Sequence, residues 1–183
     1  MFGFNLSEKN PGSRKEMSTG VQLLASMLVC SPELYSVTYE PRDTEITLDF
    51  VVKGKMPKAE MEEFATLLDK SLQTYHDLHG EDPVWLAVDA DVNGELMTVH
   101  VRRQLSTMLR GELDLLAELF GDKFGDALQM DSHTLTTLEP EFSNMQSNLL
   151  DQMFDLAQSS RIKERMIGMR DKDKVVVANR LEE

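Results

Sequence analysis

The sequence predicts an α+β fold, an antiparallel sheet made from two ββα units with helices on one face, followed by a C-terminal helical arm. Three observations carry this expectation. The order hairpin-then-amphipathic-helix occurs twice, from Tyr35 to Gly80 and from Trp85 to Gly125. Apolar residues alternate in the hairpin limbs and recur every three to four residues in the segments that follow. Asn93-Gly94 is a preferred pair for a two-residue hairpin turn, because a type I′ turn needs φ > 0 at both positions. Short turns make neighbouring strands antiparallel, and helices inserted between hairpins cover the sheet.

The elements follow in order. Residues 1–16 are polar, contain Asn10-Pro11-Gly12-Ser13 and read as a flexible leader. A helix is expected from Ser18 to Cys30, with Val21, Leu24, Ala25 and Leu28 on one face and Pro32 just beyond its end. In the first hairpin Tyr35, Val37 and Tyr39 alternate in one limb, and Ile46, Leu48, Phe50 and Val52 in the other, around Pro41-Arg42-Asp43-Thr44. The register pairs Tyr39 with Ile46, Val37 with Leu48 and Tyr35 with Phe50, and sets Glu40 against Glu45, a like-charge pair that weakens the loop end.

The next helix opens at Pro57, carries Glu60, Glu62 and Glu63 near its positive end, and shows the stripe Met61, Phe64, Leu68, Leu72 and Tyr75 before Gly80. An Asn93-Gly94 turn pairs Ala90 with Met97, Val88 with Val99 and Leu86 with Val101. Asp89, Asp91, Thr98, His100 and Arg102 then occupy the other face. A helix with Leu113, Leu116, Ala117, Phe120 and Phe124 runs to Gly125. The two units make one domain over 17–130, and the polar stretch Asp131–Thr137 marks its edge. Residues 131–183 are expected to hold a helix from about Pro140, with Phe142, Met145, Leu149, Met153 and Leu156 spaced like a seam, then a basic tail in which 165–180 read as a third hairpin.

Charge narrows the partners. The net charge is −13, and so acidic a surface repels phosphate backbones and anionic lipid. The expectation is therefore no nucleic acid and no membrane. The charge is uneven: residues 161–180 hold seven basic and three acidic residues. A basic tail on an acidic body suits a clamp onto that body or onto a second copy. The first residues lack a long apolar run, and no stretch approaches the roughly 18 apolar residues of a membrane span. With a single cysteine, Cys30, the chain has no internal disulfide, and the expected address is the cytoplasm. Cys30 lacks a basic neighbour in the last turns of its helix, so it reads as a small buried hydrophobe rather than a nucleophile.

Asp89-Ala-Asp91-Val-Asn93-Gly94-Glu95-Leu96 fits the first eight positions of an EF-hand calcium loop, which makes Asp89, Asp91 and Asn93 candidate metal ligands. The twelfth position is His100 instead of Glu, a poor ligand for a hard cation. The residues before the loop alternate like a strand, so turn geometry explains the same letters. His76 and His79, with Glu81 and Asp82, lie at metal-ligand spacing but read as exposed histidines at a helix end. Asp89, Asp91 and His100 share a polar strand face and form a candidate acid/base cluster, set against the plainer reading of a solvated sheet face. Arg102-Arg103 is a candidate nucleic-acid contact that the acidity of the chain opposes. Twelve methionines fill cores or furnish adaptable binding surfaces. No P-loop, dinucleotide fingerprint, nucleophile elbow or zinc spacing of cysteines is present, so no catalytic residue and no cofactor is assigned.

The run Trp85-Leu-Ala-Val-Asp-Ala-Asp-Val-Asn-Gly94, through Val99-His-Val-Arg102 to Leu113-Asp-Leu-Leu116, within the order helix, hairpin, helix, hairpin, helix, resembles type III secretion chaperones and the related YbjN-like α/β proteins. The resemblance covers residues 17–125. It departs from the family pattern in lacking a third strand beside the first hairpin, in the length of the helix from Pro57, and in the extra arm after residue 131. It implies a non-enzymatic homodimer that binds other polypeptides, and it transfers no individual functional residue. The expected function is accordingly a protein-interaction module. A calcium-binding regulatory module is the first alternative, and an enzyme with a polar site on the second hairpin is the second.

Overall fold

The structure is a computed structural model that describes residues 18–130, 140–172 and 174–179. It contains an antiparallel six-stranded sheet and four α-helices. The elements are α1 (Thr19–Cys30), β1 (Ser36–Glu40), β2 (Glu45–Lys53), α2 (Lys58–Leu78), β3 (Leu86–Asn93), β4 (Leu96–Gln104), α3 (Glu112–Phe124), α4 (Pro140–Ser159), β5 (Met166–Asp171) and β6 (Lys174–Asn179). The strand order is β3-β4-β2-β1-β5-β6. Four strands were expected. The third hairpin over 165–180 forms and adds two more by pairing β5 with β1, Ser36 opposite Met169 and Tyr39 opposite Met166. The stretch expected as a domain edge, 131–137, and the leader 1–16 lie outside the described residues.

In the first hairpin Tyr39 faces Ile46, Val37 faces Leu48 and Glu40 faces Glu45, as the alternation predicts. Tyr35 does not join the apolar face. β1 begins at Ser36, Tyr35 is exposed, and Leu34 is buried in its place. The second hairpin turns one residue later than expected. Asn93 pairs with Leu96, Ala90 with Val99 and Val88 with Val101, leaving Gly94-Glu95 as the loop. Gly94 has φ +62°, whereas Asn93 and Glu95 do not adopt positive φ. Glycine alone in the left-handed region at the first central position is the demand of a II′ turn, not of I′. The shift moves each strand by one residue in opposite senses, so side chains keep their faces.

The inner face carries Val37, Tyr39, Ile46, Leu48, Phe50, Met97, Val99 and Val101 in one core with the helices. α2 contributes Phe64, Leu68 and Leu72, and α3 contributes Leu113, Leu116 and Phe120. The Phe120 ring stacks nearly parallel on Phe50 at 3.8 Å and meets Phe64 edge-on at 5.1 Å, the edge-on contact being one that suits the ring quadrupole. α1 starts at Ser18, whose Oγ accepts from the Val21 N–H at 3.3 Å, a side-chain N-cap. It buries Leu23, Leu24, Met27 and Leu28, a wider arc than the expected single face, because the sheet covers one side and α4 another. The approach to the sheet is close at Gly168, where a Cβ would stand 2.9 Å from a Leu28 methyl. The Arg170 guanidinium donates to the carbonyls of Leu28, Leu34 and Ser31. It thereby satisfies acceptors at the end of α1 that helix geometry leaves open. Arg165 pairs with Glu40 at 3.0 Å, so part of the basic tail is clamped on its own body.

Candidate functional site

α1, α2 and α3 contact the inner sheet face, and the outer face carries most of the sheet's polar side chains. Two cross-strand rows define it. One runs Asp89, His100, Asp49, Ser36, Met169, Val176 across all six strands, and the next runs Ala87, Arg102, Thr47, Thr38, Ile167, Ala178. Along these two rows the side chains are polar or charged over much of β3, β4 and β2 and apolar over β5 and β6.

The ionic half is a connected array. The Ser36 hydroxyl donates to Asp49 Oδ2 at 2.6 Å, and His100 Nδ1 donates to Asp49 Oδ1 at 2.6 Å. His100 Nε2 lies 3.2 Å from Asp91 Oδ2, and Arg102 Nη2 reaches Asp89 Oδ2 at 2.7 Å. Both imidazole nitrogens face carboxylate oxygens, and only the imidazolium has two N–H donors to give them. Burial favours the neutral ring, yet the hydrogen bond and charge of Asp49, the hydrogen bond of Asp91 and the charge of Asp89 outweigh it, so His100 titrates above its ordinary value. The acid/base cluster expected from Asp89, Asp91 and His100 is thus rearranged. His100 joins Asp91 and Asp49, while Asp89 turns to Arg102. Asp49 escaped the sequence reading because its meeting with His100 requires β2 to pair with β4 across an intervening helix.

The calcium candidates Asp89, Asp91 and Asn93 lie along β3. An extended strand spaces alternate residues by about 6.6 Å and so strings them out instead of wrapping them around an ion. Among the described residues, no group of three or more His, Cys, Asp or Glu side chains converges as metal ligands.

A second polar cluster is internal. Arg103 and Glu112 are fully buried and His76 is 2% exposed. Arg103 Nε and Nη2 grip the Glu112 carboxylate at 2.8 and 2.9 Å. Its Nη1 donates to the Trp85 carbonyl at 2.8 Å, and the Leu109 N–H donates to Glu112 Oε1 at 3.0 Å. His76 Nε2 completes the carboxylate's shell, which places the ring hydrogen on Nε2. Two expectations are corrected here. His76 is not an exposed residue at a frayed end, since it continues the Phe64, Leu68, Leu72 row by a further four residues into the core. Arg103 is not available to nucleic acid, because it ties β4 to α3. The alternation Met97, Val99, Val101 already pointed Arg103 inward, and that was the legible signal. Glu112 had none, because its partner comes from another element.

Cys30 is half-buried at the end of α1, and burial pushes its thiol up to about 11, with Arg110 pulling the other way and Asp114 and Asp151 adding to the rise. A thiol so held is a poor nucleophile at neutral pH. One cleft of 310 Å³ is lined by Gln73, Thr74, Asp77, Glu81 and Pro83, and one of 190 Å³ lies between the start of α1 and residues 160–164. Neither contains a member of the His100 array.

No family model matches the chain, and the comparisons with curated proteins and with solved structures return no match.

Proposed function

We propose that the chain is a non-catalytic, chaperone-like interaction module of the cytoplasm that acts as a homodimer and docks another polypeptide on α4. The observation that supports this reading is the outer side of that helix. Of the expected seam's described side chains only Met153 is buried. Leu150, Met153, Phe154 and Ala157 are buried against the body, whereas Met145, Leu149 and Leu156 stand out, Met145 at 65% exposure. Phe142, the first residue of the expected seam, has a side chain outside the described set. The spacing of four and seven residues puts the three exposed side chains in one row, and no charged residue interrupts that row. A helix already seated by one apolar face gains nothing in isolation from a second, and such rows are the usual anchors of helix and peptide recognition. Among the described residues, no helix is long and apolar enough to cross a membrane.

The enzyme reading has less behind it, because every polar side chain of the array is bound to another protein group. The decisive experiment is light scattering from a thermally unfolded client protein. The full chain should suppress client aggregation, and the M145K/L149K double variant should lose that effect while keeping its circular dichroism. Absence of suppression by the unaltered chain in molar excess would defeat the reading.

A further inference from the structure

We propose that β6 is the edge on which a second copy of this chain pairs, antiparallel and about a two-fold axis at Val176. The inference rests on the homodimer reading and assigns its interface.

The edge is open and correctly phased. The innermost pair of the β5–β6 hairpin is Asp171 with Lys174. The Arg170 N–H donates away from β6, to the Tyr35 carbonyl at 3.0 Å. Because main-chain groups alternate sides along a strand, Met169 and Asp171 bond towards β6, Val176 and Lys174 bond back, and Val175 and Val177 send their N–H and C=O groups outward. β6 ends the sheet, so among the described residues no strand receives them. Exposed edges of this kind template pairing unless charge, proline or a bulge blunts them. Lys174-Val-Val-Val-Ala-Asn179 has its single charge at its first residue and contains no proline.

Charge and symmetry select the occupant. A two-fold at Val176 faces Val175 with the partner's Val177, the two residues whose outward groups can exchange hydrogen bonds, and faces Lys174 with the partner's Ala178, so no like charges meet. The other edge cannot self-pair in this way. β3 turned on itself about its middle would set Asp89 against the partner's Asp91, a repulsive pair. A β6-to-β3 contact would be heterologous and would build a ring or a filament, not a two-fold dimer. Both outer-face rows become apolar as they approach β6, ending in Val176 and Ala178, so pairing there also continues apolar surface across the junction.

Analytical ultracentrifugation of the full chain tests the assignment. The unaltered chain should be a dimer at micromolar concentration. Val176→Lys, a partly exposed position, places like charges on the axis and should weaken the dimer at least about tenfold. Val177→Pro, which removes an outward donor without touching the β5 ladder, should do the same, whereas Leu149→Lys on α4 should leave the dimer intact. Hydrogen exchange requires no variant: the Val175 and Val177 amides should gain protection with concentration. A monomer at all concentrations overturns both this assignment and the dimer reading. A dimer insensitive to V176K and V177P, or lost in L149K, overturns the β6 interface alone. Protection of those amides that is independent of concentration shows the edge covered by its own chain and overturns it too.

Discussion

At the scale of single residues, two clusters of similar composition do different work because their dielectric surroundings differ. The Arg103–Glu112 pair is removed from water, so its attraction is unscreened, but so is the cost of breaking it. Replacing Glu112 by Gln keeps the shape and leaves the guanidinium charge uncompensated, which should cost about 3 kcal/mol in urea denaturation. A loss below about 1 kcal/mol would mean that the pair is solvated after all. His100 lies nearer to water, with its side chain 23% exposed, and its signature is a pH dependence. Its folded pKa is raised above 6.5, so the folded state holds the proton more tightly than the unfolded one. The associated stabilisation is complete below about pH 6.5 and declines as pH rises through the folded value. Stability measured against pH should show that decline in the unaltered chain and lose it in His100→Gln. An NMR titration of the imidazole placing its pKa at or below 6.5 would sink the argument.

At the scale of elements, pattern and turn chemistry specified the hairpins, and the deviations have local causes. The first hairpin has the expected register because Val37 and Tyr39 in one limb and Ile46, Leu48, Phe50 and Val52 in the other alternate on one buried face. The second keeps its faces but turns at Gly94-Glu95, because a glycine in the first loop position is enough for a two-residue turn. Gly94→Ala should therefore destabilise the protein by about 1 kcal/mol. The cost lies in the backbone alone, since an added Cβ there has nothing within 4 Å, and thermal denaturation will read it. In α4 the periodicity of 3.6 correctly marked a helix but misjudged which side is buried. Apolar residues occupy two stripes, and the choice between them depends on where α1 and the end of β4 lie. Gln158, which donates to the carbonyls of Leu105 and Met108 at 2.9 and 2.7 Å, fixes that orientation through contacts far apart in sequence.

At the scale of the molecule, residues 140–179 complete the sheet and the core. β5 supplies the second ladder of β1, α4 covers α1, and the Tyr39 hydroxyl donates to the Ile162 carbonyl at 3.3 Å. A chain ending at residue 130 would expose Leu23, Leu24, Met27 and Leu28 and open β1 to solvent. It is expected to lose cooperative thermal unfolding and NMR dispersion. A 1–130 fragment that melts sharply near the full chain's midpoint would show that the two ββα units stand alone.

The sequence by itself determined what is local: the existence of the helices, the three hairpins to within a residue at the turn, the inner and outer faces of the strands and the acidic character of the body. Each rests on interactions within a few residues or on the solvent preference of a side chain, and both are written in the order of letters. Only the tertiary structure decided that β2 pairs with β4 and β1 with β5, that Asp49 meets His100, that His76, Arg103 and Glu112 share one buried site, and that β6 is left as an apolar edge. Those outcomes depend on strand order. Long-range pairing is set by the collective burial of several faces, a sum over the whole chain that no single segment displays.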